Sequence, residues 1–469
     1  MNNGSFNWCF KVVFDDGTEW ALRYPVAGDV MYPEEKVRRE VAVMRFMKER
    51  TLIPVPEVIA FSMAANNHDP EMGPFIIEEW IDGVPLSTTM EELPRPSWRS
   101  VLRKDISDET LHTIYRQIAK TLLEPSMHNF DKIGAPSLVE HEDGTTSWLI
   151  TSLSITQKMN EIERGGYVRV DGKTSVRYNL GALLLIIYLD HLSEPFQTVK
   201  EYIDRLVQQN TTHLREQRNY IDNVDDARRK YSLCQRVKSL APHFVSKNYD
   251  SGPLKLICDD FRPRNILVQE DTLEIVAVVD WEWTYAGPYQ SLFSPPSWLI
   301  LENPTSWTSS SEARYQTKFL IFLKSLEEEE AQREIEMGEE IPPDQKMSIL
   351  MRQSMEDGKI WFNELIREYF DFDEEVLWLN IELLLKKRRL VEVGIPNETE
   401  VEAFLRMKME DWSQYKLDLQ ALEGKRKKSR GGEDCCRREA PNERLSLARK
   451  NDSRVTLIGI TYLATYRAS

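Results

Sequence analysis

Asp260 is followed five residues later by Asn265, and a strand-type run then leads to Asp280. The first pair lies in the loop Cys258-Asp-Asp-Phe-Arg-Pro-Arg-Asn265, and the last opens the triplet Asp280-Trp-Glu282. Oxygen-rich side chains in this order suit phosphoryl transfer from a nucleotide. That reaction needs a carboxylate to orient or deprotonate an acceptor hydroxyl, oxygen ligands to hold Mg2+ across the phosphates, and positive charge to offset what develops in the transition state. Asp260 can supply the first, Asn265 and Asp280 the second, and Arg262 the third. Taken alone, the Asp260/Asn265 spacing is equally that of a turn stabilised by capping side chains. Its coupling to Asp280 after a strand is what favours chemistry.

Such residues work only if something holds them at the edge of a cleft. The loop is bounded by the apolar runs Leu254–Ile257 and Ile266–Val268, and Asp280 ends the run Ile275–Val279. Both acids therefore fall at strand ends. Upstream, Phe10–Phe14 and Glu19–Tyr24 read as two strands joined by Asp15-Asp16-Gly17 turn chemistry. Pro33-Glu-Glu opens a helix that stops near Thr51, with Val37, Val41, Met44, Phe46 and Met47 on one face. Two more strands are expected at 57–61 and 74–81, closed by Asp82-Gly83. From about 108 to 245 the pattern is mostly helical, with a polar strand-like insert around 144–152, and it is helical again from 298 to about 422. The stripe Leu377–Leu390 reads as core. The expectation is an α+β chain with a small antiparallel β-sheet N-lobe (1–83) and a large mainly helical C-lobe (84–422). A basic, low-complexity tail (423–469) is expected to be disordered.

The two motifs together resemble those of the aminoglycoside phosphotransferase/choline kinase-like family, and in particular its fungal phosphotransferase-family members. The shared string runs Leu256-Ile-Cys-Asp-Asp-Phe-Arg-Pro-Arg-Asn265, through Asp280-Trp-Glu-Trp-Thr-Tyr-Ala286, to Ser294-Pro-Pro-Ser-Trp-Leu299. This resemblance implies a protein kinase-like two-lobed fold, ATP and Mg2+ as cofactors, Asp260 as base, and Asn265 and Asp280 as metal ligands. Arg262 would lie near the transferred phosphate. Arg23 stands where kinases place the strand lysine that holds the nucleotide phosphates, and Glu40 where its ion-pair partner lies. The stretch Phe75–Gly83 resembles the inter-lobe hinge, with backbone groups near Glu79 and Ile81 meeting the adenine. Asn3-Gly-Ser-Phe-Asn7 resembles the glycine loop over the phosphates, which makes Ser5 a nucleotide-contacting residue. The sheet would lack its first strand. The implied activity is phosphorylation of a small-molecule hydroxyl; a nucleotide-binding pseudoenzyme is the alternative. A protein kinase is disfavoured by the lack of Asp-Phe-Gly and Ala-Pro-Glu elements.

Composition narrows the partners. The 469 residues carry a formal charge of −16, which argues against nucleic acid or an anionic membrane as a general partner. The tail from Gly424 holds twelve Lys/Arg against five Asp/Glu, so the rest is more acidic still. Its Lys425–Lys428 run reads as solubilising, with nuclear targeting as the alternative. Five sparse cysteines give neither a disulfide framework nor metal-ligand spacing. Cys258, beside two acids, should be a poor nucleophile. His128 reads as a surface histidine at a helix end, and Glu327–Glu330 with the further acids to Glu340 as a solvated helix face, with a site for a polycationic substrate as the alternative. The longest apolar run, Leu180–Leu189, is about half of a bilayer span. With no signal-peptide features at the N-terminus, the expected location is cytoplasmic.

Overall fold

Alternating exposure along the first hairpin shows why it forms. In β2 (Asn7–Val13), Asn7 is buried and Cys9 partly so, while Trp8 and Phe10 face outward. The strand turns at Gly17, whose φ of 84° suits a residue without Cβ, and returns as β3 (Glu19–Pro25) with Cys9 opposite Arg23. A two-residue strand, β1 (Asn2–Asn3), pairs with β2 at the sheet edge. Helix α1 (Pro33–Arg50) follows, starting on Pro33 with Glu34 and Glu35 in its first turn. Strands β4 (Val58–Ser62) and β5 (Phe75–Glu79) complete an antiparallel sheet of order β1-β2-β3-β5-β4.

The computed structural model describes residues 2–3, 6–67, 72–93, 100–163, 194–367 and 375–433. Ser5, the apolar run at 180–189 and the tail from 434 onward lie outside the described residues. Residues 1–412 form one compact unit and 413–469 another.

Beyond the sheet come β6 (Val84–Pro85), α2 (Leu86–Met90) and α3 (Asp108–Ser126). The polar insert is a hairpin, β7 (Ala135–Glu140) and β8 (Thr146–Ser152), followed by α4 (Gln157–Glu163). Helices α5 (Val199–Glu216) and α6 (Val224–Phe244) precede the functional strands β9 (Leu254–Cys258), β10 (Ile266–Val268), β11 (Ile275–Val278) and β12 (Thr284–Pro288). The remainder is α7 (Ser309–Met337), α8 (Met347–Asp357), α9 (Lys359–Arg367), α10 (Glu375–Arg388) and α11 (Glu398–Glu433). The fold class is thus the α+β one expected: a small antiparallel N-terminal sheet and a large, mainly helical C-terminal part. Helix α11 continues to Glu433, past the expected end of regular structure at 422.

Packing explains the arrangement. The largest core gathers α3, α5, α6, α7, α9 and α10 around buried Tyr115, Leu240, Tyr315 and Phe362. Leu377, Ile381, Leu384 and Leu385 belong to it, as the α10 stripe predicted, although Leu379 and Leu383 point outward. Helix α1 is shared. Val37 and Val41 pack on Ile76 of the sheet, whereas Val43, Met44, Phe46 and Met47 pack on Leu256, Val278 and Trp281. The acidic run that starts on α7 is solvated in part: Glu327, Glu336, Glu339 and Glu340 are exposed, while Glu330 is buried. Glu327 pairs with Arg352, Glu328 with His112, and Glu329 with Arg116. Glu330 is buried against Ser348. Partners on α3 and α8 meet these side chains, and Glu330 is taken inward by Ser348, which periodicity alone did not reveal.

Candidate active site

The Cys258–Asn265 loop is shaped by β9, which delivers Cys258 and stops, and by a single 3-10 turn, Pro263–Asn265. Asp260 and Asn265 are both buried. The Asn265 amide donates to the Asp260 backbone carbonyl (2.9 Å) and to its Oδ2 (2.8 Å). With its NH2 turned onto Asp260, Asn265 has its Oδ1 as the end that can face a cation. Arg262 grips the same carboxylate: Nε lies 2.8 Å from Oδ1 and Nη2 is 3.1 Å from Oδ2. This forked pairing is the strong form of a charge-assisted hydrogen bond. Burial raises the Asp260 pKa to about 6, with Arg262 pulling it down and Asp280 pushing it up.

The segment leading to Asp280 is locked to the Cys258–Asn265 loop. The Val279 N–H donates to the Asn265 carbonyl at 2.9 Å, and β10 pairs antiparallel with β11. Asp280 then turns the chain with a φ of 65°. Few non-glycine residues adopt this left-handed conformation, and Asp is among the more tolerant. The turn aims its carboxylate toward the N-terminal sheet.

There it meets Arg23. Arg23 Nη2 is 2.6 Å from Asp280 Oδ1, Nη1 is 2.6 Å from Glu40 Oε1, and Nη1 is 3.3 Å from Glu78 Oε2. A second cation stands beside it. Lys36 Nζ is 2.5 Å from Glu282 Oε2 and 3.5 Å from Glu40 Oε2. Asn7 completes the cluster, accepting from Lys36 (2.8 Å) and donating to Glu282 (2.7 Å) and Asp280 (3.4 Å). Two cations thus face four carboxylates in a buried setting, so the pKa shifts diverge. Burial alone would lower Arg23 and Lys36, but their carboxylate neighbours more than offset it and both are raised. Burial would raise Glu40, yet Arg23 and Lys36 hold it below its ordinary value. Burial pushes Glu78 up to about 7 despite Arg23. It also raises Glu282, helped by Asp280 and opposed by Lys36.

The expected residues therefore fall into separate groups. Arg23, Glu40 and Asp280 are brought together, as are Asp260, Arg262 and Asn265. Arg262 is paired with both carboxylate oxygens of Asp260. Of the hinge positions, Glu79 is exposed and its N–H is already donated to the Glu57 carbonyl at 2.9 Å, while Ile81 lies just past the strand. Sequence reasoning missed Asn7, Lys36 and Glu78, and gave Glu282 no role. The signal for Lys36 was its i,i+4 relation to Glu40 on one helix face. Cys258 is held as a thiol, since burial drives its pKa far above the ordinary value. His128 does sit at a helix end, its Nε2 2.9 Å from the Arg50 carbonyl.

The donor set is hard oxygen. Both hydrogen bonds to the Asp280 carboxylate fall on Oδ1, so Oδ2 and the Asn265 Oδ1 are the atoms suited to a cation. One or two protein oxygens fit Mg2+ held mainly by phosphates and water. Among the described residues no group of three or more His, Cys, Asp or Glu is arranged as a self-sufficient metal site.

No family model matches the chain. Curated relatives do. Altered inheritance of mitochondria protein 9, mitochondrial, from Candida albicans (strain WO-1) is 29% identical over 146 residues, which is 30% of this chain and 21% of that protein. The protein of the same name from Debaryomyces hansenii is 22% identical over 330 residues, 64% of this chain and 48% of that one. The chain thus spans from about a fifth to about half of the length of these relatives. Among solved structures, the GDP and kanamycin complex of APH(2″)-IIIa is similar at 11% identity, covering 83% of this chain and 92% of that one, with a TM-score of 0.38. A Plasmodium vivax ethanolamine kinase is similar at 12% identity, covering 88% and 80%, with a TM-score of 0.37.

The expected cytoplasmic or nuclear location is contradicted, because the fungal relatives are named as mitochondrial proteins. Charge and cysteine count describe a folded body, whereas location is set by receptor-read address segments that such averages do not report. Among the described residues no helix is long and apolar enough to cross a membrane.

Proposed function

We propose that this chain is an ATP-dependent phosphotransferase acting on the hydroxyl of a small molecule. The observation that carries the reading is the pairing of two preassembled groups. Asp260 is buried and braced by Asn265, and Asp280 is aimed at an Arg23 already paired with Glu40. In this reading Asp260 accepts the proton of the acceptor hydroxyl. With its pKa raised to about 6, it stays mostly ionised at neutral pH and is more basic than an ordinary aspartate. Arg23 places positive charge beside the phosphates, and the Arg262 guanidinium, whose side chain is largely exposed, can turn from Asp260 to the transferred group. Asn265 and Asp280 would hold Mg2+, which when bound neutralises phosphate charge. The adenine would meet backbone at Ile81, since the Glu79 N–H is committed to the sheet. We extend the relatives' mitochondrial location to this chain; a fluorescent fusion that stays out of mitochondria overturns it.

Two measurements test the activity. Mg2+ with ATP should raise the thermal midpoint of the wild type and leave Asp280→Ala unmoved. Incubation with a panel of hydroxyl metabolites should then show phosphate transfer that Asp260→Asn abolishes. Transfer that survives in Asp260→Asn removes the base assignment. A second reading, a nucleotide-binding pseudoenzyme, is favoured by one observation: Arg262 occupies both oxygens of the base. Nucleotide-dependent stabilisation with no transfer to any acceptor selects it.

A further inference from the structure

Asn7 has no place in the chemistry described above, yet it is buried at the meeting point of three elements. Its Oδ1 takes a hydrogen bond from Lys36 on α1, and its Nδ2 gives one to Glu282 and a longer one to Asp280 in the metal loop. Asn7 itself opens β2 and ends the sequence string that resembles the phosphate-covering loop. Few side chains can do this. The site asks for a donor and an acceptor on two separate atoms of one short side chain, which the Asn amide supplies without adding charge. Aspartate would add a fifth carboxylate to four, and alanine would leave the bonds unmade.

Lys36 and Glu282 are each about 1% exposed, at 2.5 Å. A buried pair of this kind is weak evidence for stability, because desolvation consumes much of the attraction. What the pair does supply is position. Glu282 lies two residues after Asp280, whose φ of 65° leaves the loop in a sparsely populated backbone conformation. Something must over-determine that conformation. Bonds to Glu282 on one side of the turn, and from Val279 to Asn265 on the other, do so.

We propose that Asn7, Lys36 and Glu282 form a positioning triad that couples seating of the N-terminal strand to the orientation of Asp280. The triad rests on the phosphotransferase reading for its purpose, and none of its members touches the reacting atoms. When β2 is seated, the Asn7 amide closes the Lys36–Glu282 pair and fixes the metal loop. When β2 lifts, the loop loses its brace. Seating of β2 and readiness of the metal carboxylate become one event.

The test uses the full chain, as wild type, Asn7→Ala, Lys36→Met and Lys36→Arg, in two measurements. The first is amide hydrogen exchange without ligand. Asn7→Ala and Lys36→Met should speed exchange in the peptide covering 279–284 by roughly tenfold or more, with peptides from α3 and α7 unchanged, and Lys36→Arg should restore most of the protection. The second is thermal stabilisation by ATP as Mg2+ is titrated. Asn7→Ala should raise the Mg2+ concentration for half-maximal effect about tenfold, and leave stabilisation by ATP in EDTA within about twofold of wild type. Unchanged exchange at 279–284 in Asn7→Ala overturns the triad. So does a rise spread evenly over all peptides, or an equal loss with and without metal, since a merely structural role gives these. If the wild type is not stabilised by ATP and Mg2+ at all, the phosphotransferase reading falls, and the ligand-free exchange alone decides for or against the triad.

Discussion

Arg23 Nη2 lies 2.6 Å from Asp280 Oδ1 across 257 positions of sequence, and the same guanidinium holds Glu40 at 2.6 Å. One side chain thus joins the small sheet, helix α1 and the metal loop. Arg23→Ala leaves Glu40 and Glu78 buried without their shared partner. The expected cost is about 3–5 kcal/mol, the range for removing one member of a buried pair. Arg23→Lys keeps the charge but not the fork, so it should recover only part of that loss. Denaturant unfolding of the three proteins checks both statements, and equal midpoints for all three contradict them.

His213 gives the acid limit of stability. It lies on α5 against Tyr220, with Lys408 and Lys230 as its charged neighbours, and burial followed by these two cations lowers its pKa from 6.5 to about 3. The folded state therefore binds this proton more weakly than the unfolded chain does. Stability from the neutral ring is complete above pH 6.5 and drains away as pH falls toward about 3, at about 1.4 kcal/mol per pH unit at most. His213→Gln should flatten that fall between pH 6.5 and 4. Thermal melts across the range measure it, and parallel curves for the two proteins refute it.

Glu330 caps a helix that it does not belong to. From α7 it accepts the Ser348 N–H at 3.0 Å and the Ser348 hydroxyl, at the start of α8, where backbone N–H groups lack helical partners. Helix α8 has no side-chain cap of its own at Lys346. Glu330→Ala leaves two buried donors unmet and should cost about 1–3 kcal/mol. Glu330→Gln keeps an acceptor and should cost less. Urea denaturation orders the two, and the reverse order defeats the argument.

Gly134 should tolerate no side chain. Its N–H donates to the Ala286 carbonyl at 3.0 Å, and a Cβ there would sit 2.2 Å from the Ser152 carbonyl oxygen. Gly134→Ala must displace either the β8 end or β12, which follows the metal loop. The expected result is a loss of about 3 kcal/mol or more, or insoluble protein, by the overpacking route. A soluble Gly134→Ala protein with wild-type melting behaviour shows that β8 moves freely.

What the sequence disclosed follows the range of the interactions. Asp260, Asn265 and Asp280 could be read because each sits in a short string bounded by apolar runs, so local pattern places them at strand ends. Helix α1 was legible from its proline start and its apolar face. Asn7 and Lys36 were not, because their partners lie in the metal loop, 275 positions away in the case of Asn7 and Glu282. Nothing local marks such a meeting. Strand β12 was missed for a related reason. Thr284–Pro288 contains a glycine and a proline, and its strand character comes from pairing with β9, Thr284 opposite Cys258. Glu330 misled in the opposite direction, since its charge read as exposure, whereas it is buried against Ser348.

The division of α1 between two cores has a mechanical consequence. Its first turns carry Lys36 and Glu40 to the ion cluster, while Val43, Met44, Phe46 and Met47 are sunk among Leu256, Val278 and Trp281. Freeing that second half would re-expose four apolar side chains, at roughly 1.5–3 kcal/mol each. A swinging motion of this helix, as an on–off lever, is thereby closed to the protein. Any control over the site must act through elements other than this fixed axle.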